Sequence, residues 1–190
     1  RKTSADTQRL YGEIGAGSWL RDFAGLRYGG KLGPDASIRV YGKYFDRNEA
    51  VFPDGEYADD AWQMGQGGFR IDKASSEKNE FTFQGDYYNG GLDLATGGRS
   101  KVYGANVLGR WSRAFSENSS MNLQLYYDKT FLQQPVPESR TEDGTLVLSP
   151  AGTLADELDT YDVDFQHNVT LNGCNQFVWG LGYRFTHNKV

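Results

Sequence analysis

Hydrophobic residues recur at every second position along most of this chain, and this period of two constrains the fold more than any other feature. Successive side chains of a β-strand point to opposite faces, so the pattern indicates strands with one apolar and one polar face. The clearest alternations fall at residues 37–44, 81–87, 121–130, 161–171 and 177–186, and weaker, glycine-rich ones at 9–17, 23–31, 63–72 and 103–115. The sequence therefore predicts an all-β chain, an antiparallel up-and-down meander of about nine strands.

The connections between the predicted strands alternate in length. Short turns are expected at residues 32–35, 75–79, 116–120 and 172–175, and long polar loops at 48–61, 90–100 and 133–159. A soluble antiparallel sheet with one solvated face shows the same period of two. It gives no reason for short turns at one end and long loops at the other, whereas a transmembrane β-barrel does. We therefore interpret the meander as a segment of a transmembrane β-barrel.

Composition supports the barrel interpretation. Aromatic residues make up 14% of the chain, and many lie near the predicted strand ends, as in the aromatic girdles of outer-membrane barrels. The 24 glycines disfavour helices, and no run of about 18 apolar residues could form a membrane-spanning helix. A mean hydropathy of -0.65 is compatible with a barrel, because half of each strand and all loops face water.

The distribution of charge limits the possible partners. The net charge is -5, and residues 133–160 carry all of it: their only base is Arg140, and their acids are Glu138, Glu142, Asp143, Asp156, Glu157 and Asp159. The remaining acids and bases balance, so no nucleic-acid partner is expected. The single cysteine, Cys174, rules out an internal disulfide. His167 and His187 are expected to be structural, and we expect no metal site and no cofactor.

Several predicted strands also carry a family resemblance. Arg27–Gly33 (RYGGKLG) followed by Ile38–Arg47 (IRVYGKYFDR) resembles the barrel of TonB-dependent outer-membrane receptors. Further stretches resemble successive strands of that family in order and spacing: MGQGGFRID at 64–72, FQGDYY at 83–88, LGRWSRAF at 108–115, LYYDK at 125–129, DVDFQH at 162–167 and VWGLGYRFT at 178–186. The resemblance covers most of the chain.

The resemblance implies a 22-stranded barrel with a plugged lumen, in which binding of an iron complex is coupled to the TonB system. It implies a bacterial outer-membrane location, outer-membrane lipid around the barrel, and uptake of a ferric siderophore or similar iron complex. The family's plug domain and closing strands have no counterpart here. We therefore expect residues 1–190 to form part of a receptor barrel, with two sheet edges that must be paired or covered.

Ligand-binding residues are expected in the loops at the long-loop end. The candidates are Tyr57, Trp62, Arg99 and Arg140, because aromatic and cationic side chains engage anionic or catecholate-bearing complexes. A receptor of the same architecture for cobalamin, haem or carbohydrate remains an alternative, as does a small closed barrel acting as an adhesin or pore. No convincing Ser/His pair lies on one polar face, so an enzyme is not expected.

Overall fold

Nine long strands form one antiparallel sheet in this computed structural model, which describes residues 2–141, 147–171 and 175–190. The long strands are β1 (Arg9–Ala16), β2 (Leu20–Lys31), β3 (Ala36–Arg47), β4 (Trp62–Ser76), β5 (Asn79–Asp93), β6 (Arg99–Ser116), β7 (Ser119–Val136), β10 (Gly152–Leu171) and β11 (Asn175–Lys189). Each pairs with its neighbour in the sequence of long strands, so the sheet is an up-and-down meander. A separate small hairpin joins β8 (Ser139–Arg140) to β9 (Val147–Ser149). The predicted fold class is confirmed.

Long and short connections lie at opposite ends of the sheet, as predicted. The short-turn end has connections at residues 32–35, 77–78 and 117–118, while the predicted turn at 172–175 lies mostly outside the described residues. The long-loop end has connections at 48–61, 94–98 and 137–151, together with one short connection at 17–19 that the sequence pattern did not predict.

Two predicted loops, at 90–100 and 133–159, are shorter than expected because the strands continue into them. The first is reduced to 94–98. The predicted loop at 133–159 is reduced to 137–151, so Asp156, Glu157 and Asp159 lie in β10 and not in a solvated loop. Glu157 forms a salt bridge of 2.7 Å with Lys129, and Asp159 accepts a hydrogen bond of 2.7 Å from the Tyr127 hydroxyl. These polar pairs lie before the apolar alternation of β10, which starts at Tyr161, so an apolar period cannot reveal that the strand begins earlier.

The sheet has two chemically different faces and no apolar core between layers. Ala58, at 9% exposure, is the only buried hydrophobic residue in the described part of the chain. Large apolar side chains are instead exposed on one face, where Ile14 is 86%, Leu26 59% and Leu125 53% exposed. An apolar surface this extensive must be covered by lipid or by protein, because water alone does not stabilise it.

Strand β6 shows how the apolar face is organised from one end to the other. Its apolar-face side chains begin with Arg99 and Lys101, continue from Tyr103 to Trp111 with small and apolar residues between them, and finish with Arg113 and Phe115. Tyr103 and Trp111 are separated by about 26 Å along the strand at about 3.3 Å per residue. With the usual barrel tilt this corresponds to a band about 20 Å tall, close to the apolar belt of outer-membrane barrels.

Aromatic pairs bound this apolar band at both ends. At the long-loop end the ring centroids of Tyr103 and Phe131 are 4.6 Å apart. At the short-turn end Phe81 stacks on Trp111 at 6.0 Å. One aromatic pair thus lies at each end of the band, at the positions where the predicted girdles would be.

His167, which interrupts the apolar pattern of β10, is held by neighbours on the same face. The Trp179 indole N–H donates to His167 Nδ1 at 3.0 Å, and His167 Nε2 lies 2.9 Å from Ser119 Oγ. An acceptor at Nδ1 requires the proton to be on Nε2, so the neutral ring can donate to the serine hydroxyl. A polar residue fits this face because both ring nitrogens are satisfied.

The N-terminal segment, residues 2–8, folds back onto the polar face at the short-turn end. It contains a short 3-10 helix, Ala5–Thr7. Ser4 is fully buried, and both its backbone N–H and its hydroxyl donate to Asp72 Oδ2 at 2.7 Å. Outside the strands, the Thr3 hydroxyl donates to Asp6 at 2.6 Å and lowers the pKa of that carboxyl. No helix among the described residues is long and apolar enough to cross a membrane.

Candidate functional site

The long-loop end of the polar face carries an aromatic cluster around one cation. Register places Arg47 beside Trp62, and Phe45 beside Met64 one row further from the loops. The Phe45 and Trp62 rings meet edge to face at 4.7 Å. The Arg47 guanidinium carbon lies 4.8 Å from the Trp62 ring centroid and 5.6 Å from that of Phe45. We call Phe45, Arg47 and Trp62 the Arg47 cluster.

The Arg47 cluster holds a positive charge against aromatic faces and not against an acid. Cation–π contacts of this geometry orient a guanidinium while leaving its charge uncompensated. Arg47 Nε is buried and has no hydrogen-bond partner among the described residues. A buried polar atom without a partner is uncommon and indicates a group that is completed by something else. The arrangement can therefore accept an anionic group together with aromatic surface.

The loop at residues 48–61 rises directly from this cluster, since it leaves the sheet after Arg47 and returns at Trp62. It is an ordered hairpin: Val51 bridges Tyr57, and the Ala50 N–H donates to Asp60 Oδ1 at 2.7 Å. Its tip turns at Gly55, whose φ of 89° favours glycine. The Tyr57 side chain is 67% exposed. The hairpin thus presents an exposed aromatic ring on the loop above the Arg47 cluster.

The four sequence-predicted site residues lie in different surroundings. Trp62 is the first residue of β4 and lies on the polar face in the Arg47 cluster, at the base of the loop that carries Tyr57. Arg99 begins β6 on the apolar-face side, where it forms a salt bridge of 3.1 Å with Asp93. Arg140 lies in the small hairpin and forms a salt bridge of 2.5 Å with Glu138. Tyr57 and Trp62 thus belong to one region of the long-loop end, while Arg99 faces the other side of the sheet.

Sequence reasoning missed Phe45 and Arg47 as site residues. Arg47 continues the polar positions of β3, and Phe45 lies on the same face but beyond the predicted alternation at 37–44, so neither was singled out from the sequence. The signal is in the register between strands, which places Arg47 beside a tryptophan 15 positions later in the chain. A cation at the end of one strand and an aromatic residue at the start of the next is the pattern that could have indicated the cluster.

Further from the loops, hydrogen-bonded polar side chains cover the same face. Asp72 accepts from Arg70 Nη2 at 2.8 Å and from the Thr82 hydroxyl at 2.8 Å, in addition to its bonds from Ser4. The Tyr41 hydroxyl donates to Asp86 and receives a hydrogen bond of 3.0 Å from Gln66. Polar residues in these numbers, satisfied by one another, are typical of the wet interior of a barrel.

The described residues contain no group of three or more His, Cys, Asp or Glu that could hold a metal ion.

Comparison with solved structures shows which known proteins share this fold. The chain superimposes on a point mutant of the ferric enterobactin receptor PfeA from Pseudomonas aeruginosa, with a TM-score of 0.69, 13% identity and 95% of this chain covered. It matches the siderophore receptor PirA from Acinetobacter baumannii with a TM-score of 0.72, 13% identity and 99% coverage. It matches the copper transporter OprC with a TM-score of 0.71, 15% identity and 99% coverage.

The chain spans only 31%, 31% and 29% of those three proteins. No protein-family model and no curated protein matches the sequence. At identities this low, the likeness concerns the fold. The chain therefore has the fold of a nine-stranded section of these receptor and transporter barrels, which confirms the resemblance to TonB-dependent receptors that its sequence predicted.

Proposed function

We propose that this chain is part of the barrel of an outer-membrane receptor that takes up a ferric siderophore or a similar iron complex. The observation that carries the proposal is the Arg47 cluster, which lies at the base of an ordered hairpin with an exposed Tyr57 ring, at the long-loop end of the polar face. In a receptor barrel this end faces the outside of the cell and the polar face lines the lumen. A ligand captured by the loop would then meet the Arg47 cluster first.

The rest of the receptor follows from the same reasoning. The exposed apolar band with its aromatic rows would contact outer-membrane lipid, and the polar face would surround a plug domain supplied by another part of the protein. The TonB system would act through that plug. In this proposal residues 1–190 are a partial barrel, and the chain transports its ligand without catalysing a reaction.

The choice of an iron complex rests on two lines of support. Two of the three solved structures are described as a ferric enterobactin receptor and a siderophore receptor, and the third as a copper transporter. The Arg47 cluster combines a guanidinium with aromatic rings, which suits a ligand that carries anionic oxygens and rings. Tyr57 and Trp62 are our strongest candidates for ligand contact, whereas Arg99 and Arg140 remain sequence-based candidates with acidic partners.

Binding of a panel of ligands to the complete protein, purified in detergent, tests this function. The panel contains a ferric tricatecholate, a ferric trihydroxamate, cobalamin, haem, a maltooligosaccharide and a copper(II) salt. We expect saturable binding of at least one ferric complex, and loss of that binding in a variant with both Tyr57→Ala and Trp62→Ala. Exclusive binding of cobalamin, haem, carbohydrate or copper would replace iron by that ligand. Absence of any binding would favour a small closed barrel acting as an adhesin or pore.

A further inference from the structure

Basic side chains are concentrated on one part of the polar face. The polar-face positions of β1, β2 and β3 carry six cations and one acid, Glu13. We call the six cations the basic track: Arg9, Arg27, Lys31, Arg39, Lys43 and Arg47. Arg47 connects the track to the Arg47 cluster.

The basic track extends over the full height of the sheet. Arg47 lies level with Leu20 at the long-loop end, and Lys31 pairs with Ser37 at the short-turn end. Between them, Lys43 pairs with Gly25, Arg27 with Tyr41 and Arg39 with Gly29. The ten steps from Ser37 to Arg47 span about 33 Å along the strand. A cation is therefore present at nearly every level of the polar face, and at the short-turn end the N-terminal segment lies beside the track, where Arg39 Nη1 donates to the Lys2 carbonyl at 3.1 Å.

The Arg27 and Arg47 guanidinium groups have no acidic partner among the described residues. The Arg27 guanidinium lies 5.0 Å from the Tyr11 ring centroid, and Arg27 Nε, like Arg47 Nε, is buried without a hydrogen-bond partner in the described residues. Glu13, the only acid on this part of the face, accepts a hydrogen bond of 3.0 Å from the Tyr11 hydroxyl. The two guanidinium groups are thus positioned by aromatic rings and keep their capacity to bind an anion.

The opposite part of the polar face has the reverse charge. On β7, β10 and β11 the polar-face acids are Asp128, Asp156, Asp162 and Asp164, and the one cation, Arg184, bonds to Asp162 at 2.8 Å. Asp156 Oδ1 is buried and has no hydrogen-bond partner in the residues that the structure describes. Charge separated in this way produces a field that attracts an anion to β1–β3 and repels it from β7–β11.

We propose that the basic track is a binding and passage surface for an anionic ligand, which moves along β1–β3 from the Arg47 cluster to the short-turn end. This inference rests on the proposed transport function and adds the charge of the ligand and the strands that guide it. Passage requires sites that attract the ligand and release it again, and single cations at successive levels provide several similar weak sites. A surface that only anchored a protein segment would not need to begin at the Arg47 cluster.

Uptake of two ferric probes by cells that produce the complete protein tests the proposal. One probe is a ferric tricatecholate, which is anionic, and the other is a neutral ferric trihydroxamate. The test variant combines Arg27→Gln and Lys43→Gln, two track positions outside the Arg47 cluster. The matched control is Arg184→Gln, which removes a polar-face cation on the acidic side. Surface display of each variant is quantified so that uptake is expressed per folded receptor.

The wild-type protein should take up the anionic probe in preference to the neutral one. The double variant should lose at least about tenfold in uptake of the anionic probe, the size expected from losing electrostatic steering, while Arg184→Gln changes it by less than about twofold.

Preferred uptake of the neutral probe, or equal losses in the test and control variants, would overturn the inference and leave the transport function intact. Loss of folded receptor without charge-selective loss of uptake would assign the track to a protein segment instead. Uptake of neither ferric probe by the wild type would contradict the proposed function itself.

Discussion

At the scale of single residues, His167 shows how a polar side chain is accommodated on the apolar face. It receives a hydrogen bond from the Trp179 indole and approaches the Ser119 hydroxyl, and the Phe115 and Trp179 rings lie edge to face with it at 5.9 and 5.7 Å. Three polar groups thus satisfy one another at the short-turn border of the band. The hydrogen bonds with Trp179 and Ser119 explain why a histidine occupies this position on a face that is otherwise apolar.

Replacement of His167 by leucine should therefore destabilise the protein. The indole N–H and the serine hydroxyl would each lose a partner, which costs about 1 kcal/mol in the free energy of unfolding. The midpoint of urea unfolding of the complete protein in detergent measures the effect. His187→Leu, an exposed histidine on β11, is the control and should shift the midpoint by less than half as much. A higher midpoint for His167→Leu would mean that apolar character alone decides this position.

At the scale of elements, the N-terminal segment and β2 approach each other closely enough to require a glycine. A Cβ atom at Gly29 would lie 2.0 Å from the Thr7 carbonyl oxygen and 2.9 Å from Gln8 Cα. Both are backbone atoms, which cannot move aside as the end of a side chain can. The segment is held on its other side by Ser4 and Asp72.

Gly29→Ala should consequently displace the N-terminal segment from the polar face. We expect a loss of about 1–3 kcal/mol, the cost of overpacking, and faster hydrogen exchange of the amides of residues 3–8. Gly42→Ala in β3 is a matched control, because its Cβ would have no atom within 4 Å. That control should leave exchange in the segment unchanged. Equal exchange in both variants would show that the segment does not depend on the close contact at Gly29.

The sequence predicts those features of the elements that the alternation within a single strand encodes, and not those that depend on contacts between strands. The period of two identified all nine strands and their faces, because each strand has one face in an apolar band. The ends of the strands were not predictable where the apolar alternation stops before the strand does, as at Glu157 and Asp159 in β10. The Arg47 cluster depends on pairing between β3 and β4. The contact between Ser4 and Asp72 joins residues 68 positions apart, which no local pattern encodes.

At the scale of the whole molecule, the sheet has two edges that no other described strand covers. The edges are β1 and β11, and β11 is exposed along its length, with Leu181 at 73% and Tyr183 at 70%. Exposed edges next to apolar residues pair readily with other strands. In the proposed barrel both edges would be completed by further strands.

The 190-residue chain by itself should therefore fail to form a closed barrel. After refolding in detergent, we expect the chain to migrate identically in gel electrophoresis with and without heating, whereas the complete protein should change its migration. Cross-linked oligomers of the isolated chain would agree with edges that seek partners. A compact monomer that unfolds only on heating would show that nine strands close on themselves, and would favour the small-barrel alternative.

The nature of the material that covers the apolar face decides between a membrane barrel and a sheet in water. Substitutions at two adjacent residues of β7 test which of these applies. Leu125 lies on the apolar face inside the band and is 53% exposed, while Gln124 lies on the polar face. In water, an arginine at an exposed position is nearly neutral. In a bilayer, an arginine at the midplane of the lipid face costs about 2–4 kcal/mol, whereas a residue facing the lumen is tolerated.

Leu125→Arg should thus sharply reduce the folded fraction of the complete protein in lipid vesicles, measured by heat-modifiable migration, and Gln124→Arg should not. Equal tolerance of both substitutions would mean that water or a polar protein surface, and not lipid, contacts the band.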